Sequence, residues 1–284
     1  MYKFNNAAYK SLIDDLLGDA FYLEGRSLRG KISTLRQYAE IVVKRIINFP
    51  EGDHFTLGQK SVKSLLKNKN DQRLVDTVDL INDLGSTNTH TEFLGEPTNN
   101  DLSRIIDALF YLYSYMLIEY FEKYRFSDNP KINSAFSRLP PIIRYITLDS
   151  LYSKDPDNIN VIDKLALAII KAFDEQKALK WVNERKEVLE KTPSVSENAI
   201  PSIIEKFGIE IAKDIIDDAP NMYRLCIDKI NNVKKQIDKH GKLYNDFEGA
   251  INYYMNFGVV DGVSTEVIEF NSILEFLYLG RKSK

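Results

Sequence analysis

Hydrophobic positions along the chain recur at three- and four-residue steps, the period of an amphipathic α-helix. Leu28, Ile32, Leu35, Ala39, Val42, Val43 and Ile46 trace one long stripe, and Pro50, Gly52 and Asp53 end it. Leu57 to Leu66 reads as a short amphipathic segment. Leu74, Val78 and Ile81 form the next stripe. Gly85 is expected as its left-handed C-terminal cap, with Ser86 to His90 as a polar loop. Turn chemistry over Glu96 to Asn100 then leads into a helix expected from Leu102 to Tyr124, capped by Asn100 or Asp101. That helix is apolar almost all round, which places it at the centre of a bundle or in a subunit interface.

The stretch Arg125 to Pro130, RFSDNP, breaks the pattern and reads as a linker. The expected domains are therefore residues 1–125 and residues 131–284. The second half continues in helical periods: from Pro141, then Val161 to Phe173, Ala178 to Leu189, Met222 to Ile237, Leu243 to Met255 and Thr265 to Leu279. Pro140 and Pro141 suit a first helical turn, and Gly280 suits a C-terminal cap. Gly258 to Gly262 is the single hint of strand, as a hairpin-like turn. No fixed-period repeat is present, which disfavours a solenoid. The pattern predicts an all-α protein.

Composition changes this picture mainly by exclusion. With 38 Lys and Arg against 41 Asp and Glu, the chain is not a globally basic nucleic-acid coat, although local basic patches remain open. Three His and one Cys leave no room for a Cys/His zinc cluster or a disulfide framework. Cys226 sits in an amphipathic segment, where a thiol behaves as a small hydrophobe. Walker A, GxGxxG, HExxH, GxSxG and kinase signatures are all missing. One Glu-x-x-His spacing occurs, Glu51 to His54, but it lies in a Pro-Gly turn where a bundle metal site would need a helix. No metal or organic cofactor is expected. The opening MYKFNNAAYK has no apolar signal core, and Ala108 to Ile118 is too short to span a bilayer. The expected location is cytoplasmic, without membrane insertion.

Three stretches carry a family likeness. Leu35-Arg36-Gln37-Tyr38-Ala39-Glu40 places an Arg and a Glu four residues apart on an early helix. Leu57-Gly58-Gln59-Lys60 follows as a short second segment. Ile81-Asn82-Asp83-Leu84-Gly85-Ser86-Thr87-Asn88-Thr89-His90 then precedes the long apolar helix. Together, residues 24–125 resemble the HEPN superfamily, in a branch of bacterial HEPN-like domains whose signature reads apolar-Arg-x-apolar-Gly-Asn, three residues, then His.

The resemblance implies an up-down helical bundle that pairs as a homodimer. It also implies metal-independent action on RNA in a defence or toxin–antitoxin type system. In such relatives an Arg and a His form the cleft, so the implied site here is His90 and Asn82 with Arg36 and Glu40. The chemistry suits the residue types. An imidazole shuttles the ribose 2′-OH proton, and a guanidinium clamps the phosphate and its developing charge. This chain departs from the signature at two places: Asn82 stands where the Arg falls, and Ser86 where the Asn after Gly falls. Asn82 carries no charge, so Arg36 is the substitute cation if its helix faces the same cleft. The alternative is a non-catalytic HEPN-like module that dimerises and docks a protein partner.

Plainer readings stand beside these. Arg36 and Glu40 also suit an i,i+4 helix-surface pair, and His90 suits a capping or loop role. The aromatic run Phe110, Tyr111, Tyr113, Tyr115, Tyr120, Phe121 and Tyr124 suits core packing more than base stacking. The run Lys229, Lys234, Lys235, Lys239, His240 and Lys242 reads as a solvated helix face, diluted by Asp228 and Asp238.

Overall fold

The computed structural model describes residues 4–89, 94–196 and 199–283. Among them it is all-α, with fifteen α-helices, a short 3-10 turn and a π-turn, and no β-strand. Contacts divide the chain into two compact units: residues 1–123 with 251–284, and residues 124–250. No helix among the described residues is long and apolar enough to cross a membrane.

The first unit is built on α1 (Lys10–Leu17), α2 (Leu28–Ile46), α3 (Lys60–Lys67), α4 (Gln72–Thr89), α5 (Asn99–Lys123) and α15 (Thr265–Tyr278). Helices α2, α4 and α5 pack mutually, α3 lies on α4, and α15 lies on α5. Three of these starts have a local cause. Ser27 accepts from the Gly30 N–H at the head of α2, and Ser264 does the same for Val267 at the head of α15. The expected caps of α5, Asn100 or Asp101, are corrected. Thr98 Oγ1 accepts from the Asp101 N–H at 3.2 Å while the Asp101 carboxylate accepts from the Thr98 N–H at 2.9 Å. This reciprocal box satisfies two orphan donors, and the helix starts at Asn99.

Helix α5 is the axis of the unit. Leu112, Tyr113, Ser114, Leu117 and Ile118 are buried, as are Tyr111, Tyr115, Tyr120 and Phe121. These aromatic residues are core, and two of their polar ends find partners there: the Tyr111 hydroxyl donates to Asp71 at 3.0 Å, and Arg281 donates to the Tyr113 hydroxyl at 2.9 Å. Arg45 of α2 joins distant parts of the unit. It bonds Asn6, donates to Ser272 Oγ at 3.1 Å, and lies over the Phe4 and Phe276 rings. Burial pulls its pKa down to about 10.

Two expectations about local structure are corrected here. Gly85 is not a cap, and Ser86 to Thr89 is not a loop: α4 runs through Gly85 to Thr89. The glycine serves interhelical approach instead. A Cβ at position 85 would lie 2.5 Å from Arg36 Cβ and 2.2 Å from its Cδ. The expected hairpin at Gly258 to Gly262 is also absent. Asn271 of α15 does what a partner strand would: it accepts from the Val260 N–H at 2.9 Å and donates to the Val260 carbonyl at 2.8 Å.

The second unit comprises α6 (Pro130–Phe136), α7 (Pro141–Lys154), α8 (Ile159–Ala172), α9 (Glu175–Asn183), α10 (Lys186–Lys191), α11 (Ile200–Phe207), α12 (Ile209–Asp217) and α13 (Met222–His240), and the boundary falls within α14 (Phe247–Phe257). Helix α8 is central, packing on α7, α9 and α13. Asn129, Asn158, Asp174 and Asn221 each cap a helix N-terminus by accepting backbone N–H bonds. The single helix expected from Ala178 to Leu189 is two, α9 and α10, broken at Glu184–Arg185. Cys226 is fully buried, and burial pushes its thiol up to about 12, so it packs as a hydrophobe.

Candidate functional site

Of the four site residues expected from sequence, three lie together in the first unit. Arg36 and Glu40 are one turn apart on α2, and Arg36 Nη1 donates to Glu40 Oε1 at 3.1 Å. Asn82 reaches them from α4: Arg36 Nη2 donates to Asn82 Oδ1 at 3.3 Å. The fourth, His90, lies outside the described residues. Gly85 makes this meeting feasible, because it lets the Arg36 stem lie against the α4 backbone. Gly58, in the turn before α3, passes close to the Asn82 amide: a Cβ there would make an ordinary contact, 3.5 Å from its oxygen. The three likeness-bearing stretches therefore converge on one face.

The electrostatics of that face are balanced. Arg36 and Glu40 are both mostly covered, at 19% and 21% side-chain exposure. Burial pushes the Glu40 carboxyl above its usual range, against the opposing pull of Arg36, Lys44, the Leu57 backbone and His54. The pair is held as an ion pair by Asn82 and by a hydrogen bond from the 57–58 turn. Arg36 Nε is buried and has no hydrogen-bond partner among the described residues. A guanidinium placed this way has one edge spent on protein acceptors.

Sequence reasoning left out two residues near this face. His54 is exposed in the turn after α2 and close enough to act electrostatically on Glu40. It brings an imidazole to the Glu40 side of this face, in addition to the expected His90. Asn88, buried in the last turn of α4, donates to the Leu84 carbonyl at 2.7 Å, and its Oδ1 has no partner among the described residues. Reading Ser86 to His90 as a loop hid Asn88, since only a helix carries position 88 onto the covered face. No group of three or more His, Cys, Asp or Glu suited to a metal ion occurs among the described residues.

Compared with protein-family models, curated proteins and solved structures, the chain matches none.

Proposed function

We propose that this chain is a HEPN-like protein of a bacterial defence or toxin–antitoxin type system, and that the α2–α4 face around Arg36, Glu40 and Asn82 is where it binds or cleaves RNA without a metal. The observation that carries the reading is the meeting of Arg36 with Asn82 across 46 residues of chain. Arg36 thereby stands where the missing signature Arg would act. On this reading an RNA phosphate displaces Glu40 from Arg36, and an imidazole, His90 or His54, takes the 2′-OH proton. Glu40 holds the empty site neutral and orients the guanidinium. The protein pairs as a homodimer through the first unit, which brings two such faces together. That pairing rests on the family likeness, because the chain itself already covers α5.

A specific observation favours a second reading, a non-catalytic module that docks a protein partner. The Arg36 guanidinium is already paired with Glu40. A phosphate must win it from a carboxylate that is one turn away on the same helix.

One experiment separates them. The purified protein is incubated with total RNA, with and without EDTA, alongside light scattering of the same preparation. Cleavage that resists EDTA and falls at least about 100-fold in Arg36→Ala and in His90→Ala supports the first reading, since losing a clamp or a proton shuttle costs about that much. Cleavage lost in His54→Ala but kept in His90→Ala reassigns the proton shuttle. Intact RNA in every arm, with no RNA retention, leaves the docking module.

A further inference from the structure

Helices α11 and α12, joined through Gly208 alone, carry apolar side chains that the rest of the chain leaves uncovered. No residue of α11 is buried, and in α12 only Ala212 is. Ile204 and Phe207 of α11 and Ile209, Ile211 and Ile215 of α12 are exposed, Ile211 to 56%. The two helices pack chiefly on each other. Their root is fixed. The Met222 N–H donates to the Thr192 carbonyl at 2.9 Å, and Pro193 faces Asn221 in an isolated antiparallel bridge. Residues 194–220 are thus an excursion closed at its base. Helices of eight and nine residues do not hold in water on propensity alone and need a covered apolar face. The described residues of this chain do not supply that cover.

Charge decides what kind of cover fits. Residues 200–218 carry Glu205, Glu210, Asp214, Asp217 and Asp218 against Lys206 and Lys213, and all seven are exposed. That surplus of carboxylates is as large as the net charge of the whole chain, -3. None of the five acids is in an ion pair among the described residues. In α13, the next helix, Lys229 is held against Asp163 at 2.6 Å and Lys234 against Asp238. The unpaired acids adjoin the apolar side chains. Ile211 and Ile215 lie one turn apart on α12, and Glu210 and Asp214 form the neighbouring stripe. A second copy would bring two such acidic rims together, and an anionic lipid surface would repel one. A basic partner complements it.

We propose that the α11–α12 pair docks a basic amphipathic helix of another protein, with the partner's apolar side on Ile211 and Ile215 and its Lys and Arg residues beside Glu210 and Asp214. Apolar anchors one turn apart suit the contact of a helix laid on a groove, where desolvated side chains supply affinity and rim charges supply specificity. The surface lies on residues separate from the Arg36 face, so it stands or falls independently of the RNA reading.

The test uses the full-length protein and a fluorescent peptide of about 16 Leu and Lys residues in amphipathic order, long enough to be helical when bound. Its controls are the same composition in scrambled order and a Leu/Glu peptide in amphipathic order. Anisotropy titration at about 0.15 M salt is expected to show saturable binding of the amphipathic Leu/Lys peptide, at least about tenfold tighter than either control. The double variant Ile211→Ser/Ile215→Ser is expected to weaken it at least about tenfold, the loss of two anchors. Its circular dichroism spectrum should be unchanged, because exposed substitutions cost little stability. Ile211→Ser alone serves if the double variant does not fold. Glu210→Gln/Asp214→Asn is expected to weaken binding about threefold and to flatten its salt dependence. No saturable binding overturns the proposal, as does binding that survives the serine variants unchanged. Equal affinity for the scrambled peptide also overturns it, since charge alone then accounts for the contact. Sedimentation showing a dimer that the serine variants lose assigns the face to a second copy. Flotation with phosphatidylglycerol vesicles that the same variants lose assigns it to lipid. Either result overturns the proposal.

Discussion

At the residue scale, one glycine shows how far a side chain's absence organises a site. Gly85 lies inside α4, and any Cβ there meets the Arg36 stem, including an Arg36 Cβ that no rotamer change can move. Gly85→Ala is therefore expected to force α2 and α4 apart and cost about 1–3 kcal/mol, the range of overpacked cores. Arg36→Ala in the same background should recover only part of the loss, because the Cβ–Cβ conflict remains. Urea unfolding of both variants checks this. Lys171 offers the complementary case, a side chain whose charge opposes the fold. Its pKa falls from the ordinary 10.5 to about 8 under burial and the repulsion of Arg144 and Lys164, with His240 and Lys242 as the other basic groups lining the cavity it borders between α7, α8 and α13. Below about pH 8 it is charged in both states and the penalty is complete. Between that value and 10.5 the unfolded chain holds the proton that the native state has released, so this residue's contribution to stability rises with pH. Lys171→Met should raise stability at neutral pH by about 1 kcal/mol. The difference from wild type should shrink when the urea midpoints are compared at about pH 9.5.

At the element scale, helix starts follow sequence closely and helix ends do not. Ser27, Thr98, Asn129, Asn158, Asp174, Asn221 and Ser264 act on N–H groups two or three positions away, so their role is local. The C-terminal end of α4 differs from the sequence expectation because glycine suits a cap and also suits close packing. Local sequence does not say which of the two α2 requires. The segment around Val260 shows the same limit. Its β-branched residues suggest a strand, but its backbone is satisfied by one side chain of α15. Val260 is buried, so Asn271→Leu would strand both backbone groups and is expected to cost about 2–4 kcal/mol. Asn271→Asp keeps the acceptor and loses the donor, and should fall between. Thermal melts of the three proteins order them.

At the scale of the whole molecule, chain order and spatial order differ. Residues 251–284 close the first unit, and α15 supplies Phe270, Leu274, Phe276 and Leu277 to its core. Phe270 lies against Tyr120 and Phe121 of α5, at ring distances of 5.2 and 6.3 Å. Four buried side chains at about 2 kcal/mol each rival the whole stability of a domain. Truncation after Ala250 should therefore expose the α5 core, seen as dye binding by a hydrophobic fluorophore and loss of cooperative unfolding. Removing only the terminal residues 282–284 should do neither.

Sequence by itself determined what depends on neighbours along the chain. That covers the helical class, the long apolar α5, the burial of Cys226, and the left-handed Gly280 after α15. Each follows from a period, a cap or a composition that acts within a few residues. It also singled out Arg36, Glu40 and Asn82 one by one, through spacing and likeness. Only the tertiary structure decided that they touch, that Gly85 is the reason they can, and that Glu40 occupies the guanidinium. It alone returned α15 to the first unit and gathered Arg144, Lys171, His240 and Lys242 around one cavity. Those residues are from two to 98 positions apart, and a hydrophobic period holds no information about which apolar faces meet or which charges they enclose.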